Sequence, residues 1–252
     1  MGSVYAIANQ KGGVGKTTTT VNMGACVAAG GAQTLIVDLD AQCNATVALG
    51  GDRDSSPSSY DCLIGDVSVA EAARPAGPDN LWLVPASGDL AGASVELPRI
   101  DGSETRLRER LGPVRERFAY TLLDCPPSLG PVSVNALAAA DRVIVPVQAE
   151  YLALEGLVQF LDTLGLVRRE LNSALELAGV LITMHDERTR LSQDVERELR
   201  DHFPDLVFET VIPRSVRVAE APSYGLPVIE HAPASRGSVA YHDLAKELAG
   251  RG

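Results

Sequence analysis

The sequence predicts an α/β fold, a mostly parallel twisted sheet with helices on both faces. Two observations carry this. Short runs dense in Val, Ile and Leu recur along the chain, as strands covered on both faces require. Segments of helical spacing separate them, and strand–helix–strand alternation winds into a parallel, right-handed sheet. With 252 residues the chain can bury a large core. No internal repeat or low-complexity segment divides it, so residues 1–252 are expected to form a single domain.

The expected strands are "VYAIAN" (4–9), "TLIVDL" (34–39), "LWLVPA" (81–86), "YTLLDC" (120–125), "RVIVPV" (142–147), "LAGVLIT" (177–183) and "LVFETVIP" (206–213). Helices are expected over Thr17–Ala29, Ser103–Arg117, Val132–Ala140, Leu154–Glu170, Arg188–Phe203 and Gly237–Ala249. "GGDRDSSPSS" (50–59) reads as a loop too short to link domains.

Composition narrows the function. The apolar runs are strand-sized, so none crosses a bilayer as a helix. The N-terminus lacks a basic region followed by a long apolar stretch, so a cytoplasmic protein is expected. Cys26, Cys43, Cys62 and Cys125 show no CxxC spacing, which argues against a disulfide framework and a zinc site. A net charge of −11 opposes gross affinity for nucleic acid, so any DNA contact needs a local patch.

Chemistry concentrates in "YAIANQKGGVGKTTTTVN" (5–22). Only three of the 22 basic residues are lysines, and Lys11 and Lys16 both fall here. A strand, a glycine turn and a helix in that order form a phosphate-binding loop. Glycines let backbone N–H groups close around phosphate oxygens, and the helix aims its positive end at them. Gly12, Gly13, Val14, Gly15, Lys16, Thr17 and Thr18 are therefore the expected phosphate contacts, with Lys16 on the β- and γ-phosphates and the Thr17 hydroxyl on Mg²⁺. The usual pattern begins with glycine at position 10; here Gln10 stands there and Lys11 follows. An ammonium is a compact charge on a flexible stem, suited to one phosphate oxygen.

Asp38 and Asp40 end the second strand and can face the loop, since parallel sheets bind ligands at the carboxyl ends of their strands. Acidic turn caps are the competing reading of both. Asp124 ends "YTLLD", and the Pro126–Pro127 pair stops that strand.

The loop "KGGVGKTT" resembles the deviant Walker A motif of the ParA/MinD group of P-loop ATPases. The likeness to short, Soj-type chromosomal ParA proteins runs nearly end to end, through "DLDAQCNAT", "LLDCPPS", "ITMHDERT", "VIPRSVRVAEAPSYG" and "ASRGSVAYHDLAKEL". The resemblance implies ATP and Mg²⁺ as ligands and slow, partner-stimulated hydrolysis. It implies a homodimer on ATP binding in which Lys11 reaches the partner's nucleotide. Asp40 would orient the attacking water, Asp38 and Asp124 would support the metal with Thr17, and Pro213 would lie against adenine. The family form DxDPQGN is altered here by Ala41 and Cys43, and an often-present asparagine is replaced by Ser215.

The same resemblance implies nonspecific binding to double-stranded DNA through Arg188 and Arg217, a ParB-type centromere-binding partner and association with the nucleoid. Yet residues 165–217 hold eight arginines against ten acids. A solvated face of i,i+4 ion pairs, such as Asp194 or Glu196 with Arg197 or Arg200, competes with the DNA reading. With the loop starting at residue 11, no N-terminal helix-turn-helix extension is expected. Alternatives are a ParA-like ATPase carrying another cargo, a MinD-like membrane-associated regulator, or an enzyme or iron–sulfur reductase on the same fold. The C-terminal helix, with one lysine and Val239, Leu244 and Leu248 expected to face the core, speaks against membrane binding.

Overall fold

The computed structural model describes residues 2–151 and 153–251. Its seven strands are β1 (Ser3–Ile7), β2 (Thr34–Asp38), β3 (Arg74–Pro75), β4 (Leu81–Val84), β5 (Tyr120–Asp124), β6 (Arg142–Gln148) and β7 (Glu176–Thr183). They form one sheet in the order β3-β4-β2-β5-β1-β6-β7. All neighbours run parallel except the short edge strand β3, which pairs antiparallel with β4.

Strand periodicity divides the core between the two faces. From β1, Val4 and Ala6 join one apolar cluster and Tyr5 and Ile7 the other. The helices in chain order are α1 (Lys16–Ala29), α2 (Asn44–Ala48), α3 (Ser59–Leu63), α4 (Val69–Ala72), α5 (Leu90–Glu96), α6 (Arg106–Leu111), α7 (Pro131–Ala139), α8 (Ala153–Glu170), α9 (Arg190–His202), α10 (Val216–Glu220), α11 (Val228–His231) and α12 (Arg236–Gly250). Helices α1 and α12 cover the Tyr5 face, and α6, α7 and α8 the other.

Three expectations are corrected. Residues 206–213 form no strand, although they run beside β7 through bridges at Val180–Val207 and His185–Pro213. The ladder breaks between those bridges because the N–H groups of Glu209 and Thr210 donate to the Glu247 carboxylate of α12, at 2.8 and 2.9 Å. The expected helix over 103–117 stops at Leu111 and tightens into a 3₁₀ segment over Gly112–Arg117. Pro113 cannot donate within a helix, and its ring crowds the preceding turn. On α12, Leu244 and Leu248 are buried as expected, but Val239 is 51% exposed and Tyr241 takes the inward position.

Candidate nucleotide site

The site assembles where β1, β2 and β5 end side by side, with Asp38 and Ile7 each in register with Asp124. After β1, Asn9 folds the chain: its Oδ1 accepts from Lys11 N–H at 3.0 Å and its Nδ2 donates to Pro146 O at 2.8 Å. Gly13 and Gly15 then adopt φ of 75° and 86°, left-handed values that cost glycine nothing. Thr183 at the end of β7 donates to Val14 O at 2.8 Å and holds the turn from behind. No side chain caps α1, so its first-turn N–H groups are free for an anion.

Lys16 is buried in this turn, with Nζ donating to the Lys11 carbonyl at 3.1 Å. Burial pushes its pKa down, against the pull of Asp124 and Asp40. A cleft of about 470 Å³ opens above the loop, lined by Gly12, Gly13, Gly15, Lys16, Thr17 and Thr18, by Asp40, and by Met184, Pro222 and Leu226 on its apolar side. Lys11 is not in that lining. Its side chain is 46% exposed on the rim, with Nζ 3.7 Å from Glu150 Oε2.

The three aspartates differ in their surroundings. Asp38 is fully buried: Oδ2 accepts from Thr46 N–H and Oγ1 at 2.8 and 2.7 Å, and Oδ1 from Asp40 N–H at 3.1 Å. It thereby fixes the loop that carries Asp40. Asp40 is half-buried on the cleft wall, and its Oδ1 accepts from Gln42 N–H at 3.0 Å. Asp124 Oδ1 accepts from the Thr20 hydroxyl at 3.0 Å, whereas Asp124 Oδ2 is buried without a hydrogen-bond partner. Burial and then the charge of Asp38 push the Asp124 carboxyl up to about 8; burial likewise pushes Asp38 up to about 6. A buried carboxylate oxygen with no hydrogen-bond partner among the described residues, at a strand end beside the phosphate loop, suits a divalent cation. Among the described residues no group of three His, Cys, Asp or Glu could hold a metal ion, so such an ion would take ligands from a nucleotide as well.

Sequence reasoning did not single out Thr46, Thr20, Glu150, Met184 or Asn22. Asn22 of α1 accepts from Val228 N–H at 2.6 Å and donates to Thr18 O at 2.8 Å, riveting α1 to α11. Met184 has φ of 50°, an unusual value for a bulky residue, and sits on the cleft wall. A strained residue just beyond a strand leaves no trace in composition. Pro213 lies outside this lining and borders a neighbouring cleft with His185 and Arg236. Arg188 and Arg217 are exposed on segments that diverge from the His185–Pro213 bridge. The i,i+3 and i,i+4 pairs Asp194–Arg197 and Glu196–Arg200 are also formed.

A glycine turn with free amides, a buried ammonium and aspartates at the ends of parallel strands define a P-loop nucleotide-binding protein of the two-lysine type. The family model described as "AAA domain" matches residues 2–177. The chain belongs to the Soj/ParA family of chromosome-partitioning proteins. It is 49% identical to the sporulation initiation inhibitor protein Soj of Bacillus subtilis over the full length of both. It is 51% identical to the chromosome-partitioning ATPase Soj of Thermus thermophilus, over 98% of this chain and 95% of that one. Among solved structures, a Mycobacterium smegmatis protein titled cobyrinic acid a,c-diamide synthase, with bound ATP analog and magnesium, superposes with a TM-score of 0.85 at 39% identity. That match covers 98% of this chain and 93% of the other.

Proposed function

We propose that this chain is a nucleotide-timed partition switch that binds ATP with Mg²⁺, dimerises on it, holds DNA without sequence preference as a dimer, and lets go after hydrolysis. The observation that carries the reading is the divergence of the two loop lysines. Lys16 points into the cleft, while Lys11, five residues earlier, stands on the rim outside it. A rim ammonium on a phosphate loop suits the triphosphate of a second molecule.

Within one subunit the free amides of α1 and the Lys16 ammonium bind and orient the phosphates. Thr17, Asp124 and, through its fixed loop, Asp38 fit a Mg²⁺ ion, which would neutralise phosphate charge. Asp40, whose backbone N–H donates to Asp38, would orient the attacking water from the cleft wall. Met184, Pro222 and Leu226 offer the base an apolar seat, and this seat replaces Pro213 in the proposal. A ParB-type partner would accelerate hydrolysis, and Arg188 and Arg217 would face nucleoid DNA in the cytoplasm.

Relatives named for chromosome partition, at up to 51% identity, favour that cargo over another. Leu244 and Leu248 of α12 are buried in the core beside α1, which speaks against a MinD-like membrane role for that helix. No described helix is long and apolar enough to cross a membrane. The test is light scattering with ATP and with ADP. Lys11→Ala should retain nucleotide binding yet stay monomeric in ATP; a Lys11→Ala protein that dimerises normally would refute the switch.

A further inference from the structure

Both arginines assigned to DNA are already engaged within the chain. Arg188 lays Nε and Nη2 on the two oxygens of Asp186, at 2.9 and 2.8 Å, and its backbone N–H donates to Asp186 Oδ1 at 3.1 Å. This two-pronged grip is the one a phosphate would receive. The Arg188 hydrogen bonds hold the Asp186 carboxyl well below the usual carboxylate range. Arg217 Nη1 donates to Glu220 Oε1 at 2.6 Å, and His231 Nε2 lies 3.1 Å from the same oxygen. The Tyr224 ring stacks on His231 at 4.6 Å and closes the cluster.

In each pair the acid is the sheltered member. Asp186 and Glu220 side chains are 19% and 30% exposed, against 87% and 64% for Arg188 and Arg217. Both arginines are therefore open to water, while the Nε–Nη2 edge of Arg188 and Nη1 of Arg217 already face a carboxylate.

We propose that Asp186 and Glu220 are built-in competitors for DNA phosphate that hold down the affinity of this face; the proposal rests on the DNA reading given above. A phosphate arriving at either arginine must displace the carboxylate or lie beside its charge, and both lower the net gain. One face so restrained binds weakly. Two faces joined in a dimer multiply their weak affinities, so the restraint makes DNA retention depend on dimerisation.

The test is fluorescence anisotropy of ATP-loaded protein with a labelled random-sequence duplex at low salt. Glu220→Gln and Asp186→Asn are each expected to tighten binding by roughly two- to five-fold, the range for removing one exposed ion-pair partner. The gain from Glu220→Gln should vanish in an Arg217→Ala background, and that from Asp186→Asn in an Arg188→Ala background. Equal gains in those backgrounds would reduce the effect to long-range charge and overturn the proposal. Unchanged or weaker binding would show the acids to be splints for their arginines, which also overturns it. If Arg188→Ala and Arg217→Ala leave binding of the otherwise native protein untouched, the DNA reading itself falls, a failure seen without the acid variants.

Discussion

Asp124 shows how much a single buried oxygen can decide. Its carboxyl binds a proton more tightly in the folded chain than in the unfolded one, about 8 against an ordinary 3.8. A folded-state pKa raised in this way contributes stability that is whole below about pH 4 and is drained as pH rises through 8. Asp38, raised to about 6, acts in the same direction. Without nucleotide and metal the melting temperature should therefore fall from pH 5.5 to pH 8.5, and Asp124→Asn should flatten that fall. A slope unchanged in Asp124→Asn, by differential scanning fluorimetry, would remove Asp124 as its source. Asp40 makes a separate prediction: Asp40→Ala should keep ATP and the dimer but lose on the order of a hundred-fold or more in turnover. Phosphate-release assays with normal rates would exclude Asp40 from the chemistry.

At the scale of elements, α12 is a structural clamp. Leu244 is fully buried against the sheet face that α1 also covers, so Leu244→Ala should destabilise by about 2–5 kcal/mol in urea unfolding. Gly237, the second residue of α12, lies flush against α10, where a Cβ would collide with Val218. Much of this layer was legible: six of the seven expected strands and the long helices α1, α7, α8, α9 and α12 stand where apolar periodicity puts them. The short helices α2, α3 and α4 were not, because four or five residues show no period. Their signal was local, in the capping boxes Ser58–Asp61 and Ser68–Glu71. The failed strand at 206–213 is a tertiary override. Its residues have strand chemistry, yet Glu247, 37 and 38 positions away, takes the amides that a ladder would use. The site followed the same rule. Lys16, Gly13 and Gly15 announce themselves by local pattern, whereas Thr46 and Met184 matter only through where distant strands end.

For the whole molecule, charge is the governing quantity. At −11 the chain repels DNA on average, and in the reading proposed above Arg188 and Arg217 of each subunit would work against that field. If four arginines of a dimer each meet a phosphate, log affinity against log salt should slope by about −3 to −4. Anisotropy titrations from low to physiological salt measure this, and a nearly flat dependence would contradict phosphate binding. The ADP-loaded protein, presenting one face at a time, should show about half that slope.

The Asn22–Val228 hydrogen bond has a mechanical consequence. The helix that begins at the glycine turn is bolted, two turns in, to the stretch that follows Arg217 and Glu220. Were α1 to tilt when its first amides grip an anion, this bond would carry the tilt to residue 228. What the chain holds at one end can thus be felt at the other through a lever 2.6 Å wide at its joint. Cutting that joint with Asn22→Ala would leave two working halves that no longer keep the same time.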